Sequence, residues 1–128
     1  LIQRGIPERY DVDFGFWEAG LAWIPALAER LDREYLERSG EFAELSKLPS
    51  EYLSDFYYGT QPIAEEDTKM FSVADLLDRA SLEDKVVYTS DRPHQDFDAP
   101  MAIDNIEGLS DEQRTKILSE NAAELFGL

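Results

Sequence analysis

Short apolar runs alternate along the chain with segments whose apolar residues recur at helical spacing. The apolar, β-branched and aromatic runs at 12–16, 56–60 and 86–90 predict three strands. Between and after these runs, helical periodicity predicts a long helix after Pro25, a second helix around 70–77 and a last helix between a Ser110 capping box and Gly127. Gly5 and Pro7 are expected to end an opening helical segment, and a short turn of helix is expected near 49–51.

Strands that alternate with helices are typical of βα units and a parallel sheet, so the predicted fold class is α/β. Three units make an incomplete sheet with two open edges. A closed barrel of eight units takes about 250 residues, so the chain has the size of the last three or four units. It also begins at Leu1 rather than at a methionine. We therefore expect a piece of a longer barrel.

Composition narrows the possible partners. Hydrophobic residues make up 43% of the 128, enough for a core, while 28 acidic against 12 basic residues give a net charge of −16. Such a charge repels phosphate backbones and anionic lipid head groups, so neither nucleic acid nor a membrane is expected as a partner. Without cysteine, disulfides and thiolate metal sites are excluded. With no apolar span or signal pattern, a cytoplasmic location is the default expectation.

The most informative segment is 86–94, where a short apolar run leads into Asp91 and a proline turn that carries His94, the single histidine. In α/β proteins, catalytic and metal-binding groups lie where buried strands end. Asp91 is therefore a candidate site residue, with capping of the turn before Pro93 as the alternative. His94 could orient Asp91, contact substrate or shuttle a proton, or it could simply bind the backbone of its loop.

Four segments and one tripeptide carry a resemblance to a known family: 5–10, 14–20, Trp23-Ile24-Pro25, 88–94 and 120–128. In this order they resemble the C-terminal part of the amidohydrolase-related family of metal-dependent (β/α)8-barrel hydrolases and decarboxylases, which includes aminocarboxymuconate semialdehyde decarboxylase. The resemblance covers essentially the whole chain. It implies that residues 1–128 supply about strands 6 to 8 of a single TIM (β/α)8 barrel domain.

The resemblance also assigns roles to individual residues. Asp91 matches the aspartate after the eighth strand, which binds or faces the divalent metal. Glu18 falls where decarboxylase members carry a histidine, so its catalytic role would be that of a hydrogen-bond acceptor, general base or metal ligand, with a solvated surface glutamate as the alternative. Gln61 and Trp17 are candidate substrate-binding residues at strand ends, or else ordinary turn and core residues.

The resemblance favours a metal-dependent hydrolase in which activated water attacks a small organic substrate. The alternatives are a metal-dependent decarboxylase of the same family and a non-catalytic acidic α/β module that completes a barrel with a partner. Zinc is the expected ion, but the family's His-x-His pair and later histidine have no counterpart here. We therefore expect this chain alone to hold no metal and to be inactive, and its expected partners are an upstream barrel segment, the substrate and a second copy in a homo-oligomer.

Overall fold

A three-stranded parallel sheet lies at the centre of the computed structural model, which describes residues 1–63 and 72–128. Its strands are β1 (Gly15–Phe16), β2 (Tyr57–Gly59) and β3 (Val86–Val87), and they pair in sequence order. The predicted α/β class and the parallel direction of the strands are confirmed.

Helices connect and cover these strands. The α-helices are α1 (Ile6–Arg9), α2 (Trp23–Glu37), α3 (Pro49–Asp55), α4 (Val73–Ala80), α5 (Met101–Asp104), α6 (Asp111–Thr115) and α7 (Asn121–Phe126). Two 3₁₀ segments cover Ile2–Arg4 and Ser39–Glu41, and Lys116–Glu120 is π-helical. Within the described ranges, none of these helices has the length and apolarity needed to cross a membrane.

Each strand is shorter than its apolar run predicts. At the start of β2 and beyond β3, the backbone groups form hydrogen bonds outside the strand ladder. The Phe56 N–H donates back to Leu53 O at the end of α3. Beyond β3, the Tyr88 N–H donates to Ile117 O, and the Thr89 N–H donates to the Thr60 hydroxyl instead of to a strand carbonyl. The predicted strands at 12–16, 56–60 and 86–90 are therefore too long by two to three residues.

The helix predictions meet mixed outcomes. The long helix after β1 and the capping box at Ser110 are confirmed, and Gly5 ends the opening segment in a left-handed conformation. Pro7, however, lies in the first turn of α1, where its missing N–H removes no helical hydrogen bond, so it begins a helix rather than ending one. The last helix is interrupted by the π-helical segment. The second predicted helix begins at Val73, and its expected Met70 lies outside the described residues.

The core lies between one face of the sheet and the helices. Phe16, Tyr58 and Val86 occupy one row of that face, and the rings of Phe16 and Tyr58 stack at 5.7 Å between centroids. Trp23 of α2 meets both rings edge to face. The Tyr58 hydroxyl donates to Leu53 O at 2.7 Å, and burial raises its pKa. Tyr58 is thus a core residue and does not line the end of the strand.

The C-terminal helical region packs along the outer edge of β3. The buried Asn121 amide donates to Glu83 O at 2.9 Å and to Val86 O at 2.7 Å, while Ile117 O accepts from the Tyr88 N–H at 2.8 Å. These contacts satisfy backbone groups in β3 and beside it. They fix the direction in which β3 leads into its final loop.

Candidate functional site

The carboxyl ends of all three strands lie at one edge of the sheet, because the strands are parallel. Glu18 follows β1, Gln61 follows β2 and Asp91 follows β3. The Gly20 N–H donates to Gln61 O at 3.4 Å, and the Gln61 N–H donates to the Thr89 hydroxyl at 3.0 Å. The three connecting segments therefore contact one another in the order of their strands.

Asp91 and His94 form a closed turn. The His94 N–H donates to Asp91 O at 3.0 Å, and a second hydrogen bond joins His94 Nδ1 to Asp91 Oδ1 at 2.8 Å. The Asp91 side chain is 12% exposed, whereas that of His94 is 68% exposed. Asp91 also has a φ of 54°, a left-handed conformation that non-glycine residues seldom adopt. The turn thus fixes the orientation of the aspartate carboxylate.

The acidic surroundings favour the protonated form of His94. Its hydrogen bond to Asp91 contributes most to raising the pKa of the imidazole, followed by the charge of Asp91. Desolvation opposes the shift, and the charges of Glu18 and Asp96 add smaller contributions that raise the pKa.

Glu18 lies on an exposed loop at the same edge as Asp91, also in a left-handed conformation, with a φ of 57°. Among the described residues, only three that are not glycine have a positive φ, and the third is Ser81, the C-cap of α4. Backbone strain of this kind costs about 1–3 kcal/mol and concentrates at functional sites. Its presence at both candidate carboxylates motivates a functional interpretation of this edge.

Gln61 is almost fully buried, and its side chain is already used within the protein. Its Nε2 donates to Asp96 O at 3.4 Å, which links the end of β2 to the loop after Asp91. The peptide bond between Gln61 and Pro62 is cis. Gln61 therefore organises the edge, and its role in substrate binding stays a prediction.

Trp17 packs against the sheet face opposite the core. A Cβ atom at Gly15 would lie 2.6 Å from Cζ2 of its indole, and one at Gly59 would lie 2.9 Å from Cε3. The indole therefore spans β1 and β2 where both carry glycine, and the residue is 42% exposed. Its role as a substrate-binding or a core residue stays a prediction.

Sequence reasoning missed the groups that tie these loops together. Thr60 and Thr89 exchange hydrogen bonds: the Thr89 N–H donates to Thr60 Oγ1 at 3.1 Å, and that hydroxyl donates to Thr89 O at 3.5 Å. Asp98 accepts from the Ile63 N–H through Oδ2, and its carbonyl accepts from the Tyr88 hydroxyl at 2.6 Å. Two threonines at the ends of adjacent strands were the available signal, but only known register could reveal the pairing.

The described residues supply an incomplete set of metal ligands. Across 1–63 and 72–128, no three His, Cys, Asp or Glu side chains are grouped so that they could hold an ion. Asp91 uses Oδ1 toward His94, and within this part of the chain Oδ2 has no hydrogen-bond partner. An oxygen of this kind suits a hard divalent cation, but a bound ion needs further ligands.

The sequence profile of the family described as Amidohydrolase matches residues 7–128. The chain therefore belongs to the amidohydrolase family. Comparison with curated protein sequences gives no match. The family assignment confirms the resemblance carried by the motifs around Trp23, Asp91 and Asn121.

Two solved structures of the family's fold resemble this chain. The first is 5-carboxyvanillate decarboxylase from Sphingomonas paucimobilis, with 21% identity and a TM-score of 0.75 over 99% of the chain. The second is dihydroxybenzoic acid decarboxylase from Polaromonas sp. JS666 with bound manganese and the inhibitor 2-nitroresorcinol, with 22% identity and a TM-score of 0.62 over 100%. The chain spans 37% and 38% of the lengths of these two structures.

Proposed function

We propose that this chain forms the C-terminal part, about strands 6 to 8, of a (β/α)8-barrel amidohydrolase whose full-length form is a metal-dependent decarboxylase of an aromatic carboxylic acid. The observation that carries the proposal is the fixed Asp91 turn at the carboxyl end of β3, at the sheet edge where Glu18 follows β1. Barrel enzymes build their active sites at this end of the strands. Decarboxylation is preferred over hydrolysis because both similar structures are named as decarboxylases of aromatic acids.

In this proposal Asp91 is the metal-facing residue. Its carboxylate would contribute one ligand to a divalent ion, and the remaining ligands would come from the upstream part of the barrel. When bound, the ion supplies Lewis-acid charge that orients and polarises the substrate's oxygen atoms. Manganese in one similar structure supports a divalent ion, while zinc remains the prediction from the resemblance.

The other candidate residues act around this carboxylate. His94 orients Asp91 through Nδ1 and is exposed enough to meet a ligand. Glu18, at the same edge of the sheet, adds a second negative charge, which favours a site that also holds a cation. Gln61 keeps the loop after Asp91 against the end of β2. The contacts of His94 and Gln61 hold Asp91 and the loop after it in place before substrate arrives.

The chemistry is tested by supplying the full-length protein, loaded with Mn²⁺ or Zn²⁺, with dihydroxybenzoic acid and 5-carboxyvanillate. We expect release of CO₂ and a product that has lost one carboxyl group. Trapping measures the CO₂, and mass spectrometry identifies the product. Protein stripped of metal is the control and should release none. Hydrolysis of an ester or amide substrate by the loaded protein, without CO₂ from any aromatic acid, would favour the hydrolase alternative.

A further inference from the structure

The indole of Trp17 occupies a groove that exists because two paired strands both carry glycine. At Gly15 the three nearest atoms to an added Cβ all belong to the Trp17 side chain, at 2.6, 2.9 and 3.3 Å. At Gly59 the added Cβ would meet both Trp17 and the Thr89 hydroxyl. Contacts under 3.0 Å are essentially absent between real atoms of this kind, so any side chain at Gly15 displaces the indole.

This position keeps one face of the indole against the sheet and leaves the residue 42% exposed. The same groove continues to Thr89, which lies two residues before Asp91. Trp17 directly precedes Glu18 in the chain, so the exposed part of this aromatic side chain lies at the strand end that also leads to Asp91.

We propose that Gly15 is a specificity-determining residue, which holds Trp17 flat so that its open face stacks on the planar aromatic ring of the bound acid. This inference rests on the proposed function, because it places the ring beside the metal-facing Asp91. It assigns Gly15 and Trp17 to recognition of the ring, and Asp91 to the carboxylate end. Gly15 acts through Trp17 and is a positioning residue, while Trp17 touches the ligand.

The test measures calorimetric binding of benzoate and of its saturated, non-planar counterpart, cyclohexanecarboxylate, to the full-length metal-loaded protein. Stacked aromatic pairs contribute enough for us to expect that Gly15→Ala and Trp17→Ala each weaken benzoate binding about fivefold. Cyclohexanecarboxylate binding should change less than about twofold, since it cannot stack. Trp17→Phe should recover part of the preference for benzoate. Gly40→Ala is the matched control, because an added Cβ there meets nothing within 4 Å.

Equal weakening of both acids would overturn the proposal, because it would show a general loss of the site rather than of stacking. Unchanged benzoate binding in Gly15→Ala, or no benzoate binding by the unsubstituted protein at millimolar concentration, would also overturn it. Failure of the proposed function is distinguishable: a protein that prefers benzoate through Trp17 but releases no CO₂ keeps the recognition site and loses the decarboxylase assignment.

Discussion

Two candidate site residues at the sheet edge have strained backbone conformations. Asp91 and Glu18 both adopt left-handed backbone conformations that cost free energy, and Asp91 is held there by two hydrogen bonds with His94. The sequence predicted Asp91 from its position after an apolar run, and His94 from being the single histidine. Their pairing could not be predicted, because it depends on the conformation of the turn.

Glu8 makes a pH-dependent contribution to the stability of the fold. The Glu8 carboxylate accepts hydrogen bonds from the Ser46 hydroxyl and N–H, which lower its pKa from the ordinary 4.5, and Tyr52 also donates to it. Since the folded pKa lies below the unfolded value, this contribution to stability is full above about pH 4.5 and is lost as pH falls through the folded pKa.

We therefore expect Glu8→Gln to make thermal stability less dependent on pH between about 5 and 3 than in the unsubstituted chain. Melting curves across this range, followed by circular dichroism, measure the effect. Glu120→Gln, which removes one exposed charge without such hydrogen bonds, is the control. An identical pH dependence in Glu8→Gln and in the unsubstituted chain would show that the Ser46 contacts do not act in solution.

For the secondary-structure elements, the sequence predicted their succession along the chain better than their lengths. Parallel pairing followed from strands alternating with helices, and the long α2 followed from its periodicity. The ends of β3 did not follow, because Thr89 bonds to a side chain and Tyr88 to a distant carbonyl. The π-helical segment Lys116–Glu120 was also not predicted. The spacing of apolar residues does not indicate where the helical hydrogen bonds change from the i→i−4 to the i→i−5 pattern.

Asn121 connects α7 to β3, which gives the Asn-Ala-Ala motif a structural role. Its two hydrogen bonds satisfy carbonyls at Glu83 and Val86. We expect Asn121→Ala to lower the free energy of unfolding by about 2–4 kcal/mol, because buried acceptors lose their donor. Urea unfolding measures this, with the exposed Asn105→Ala as the control. A loss below about 0.5 kcal/mol would mean that water or a neighbour replaces the amide.

At one edge of its three-stranded sheet, the chain presents the hydrogen-bonded Asp91 carboxylate, Glu18 and a partly exposed indole. Family membership covers residues 7–128, yet the similar structures are more than twice as long. The sequence motifs predicted the family and the location of the candidate site at the sheet edge. The groove formed by Gly15 and Gly59 under Trp17 could not be predicted, because it depends on the strand register. The chain alone is predicted to hold no stoichiometric metal, because its ligand set is incomplete within the described ranges.

Asp91→Asn in the full-length protein tests most directly whether Asp91 faces a catalytic metal. Replacing a charged ligand with its neutral isostere should reduce CO₂ release from dihydroxybenzoic acid by at least about 100-fold and weaken metal retention about 10- to 100-fold, with the fold intact. Elemental analysis and turnover are measured on the same preparations, with Asp104→Asn, an exposed aspartate on α5, as the control. Near-normal turnover with unchanged metal content in Asp91→Asn would contradict the account.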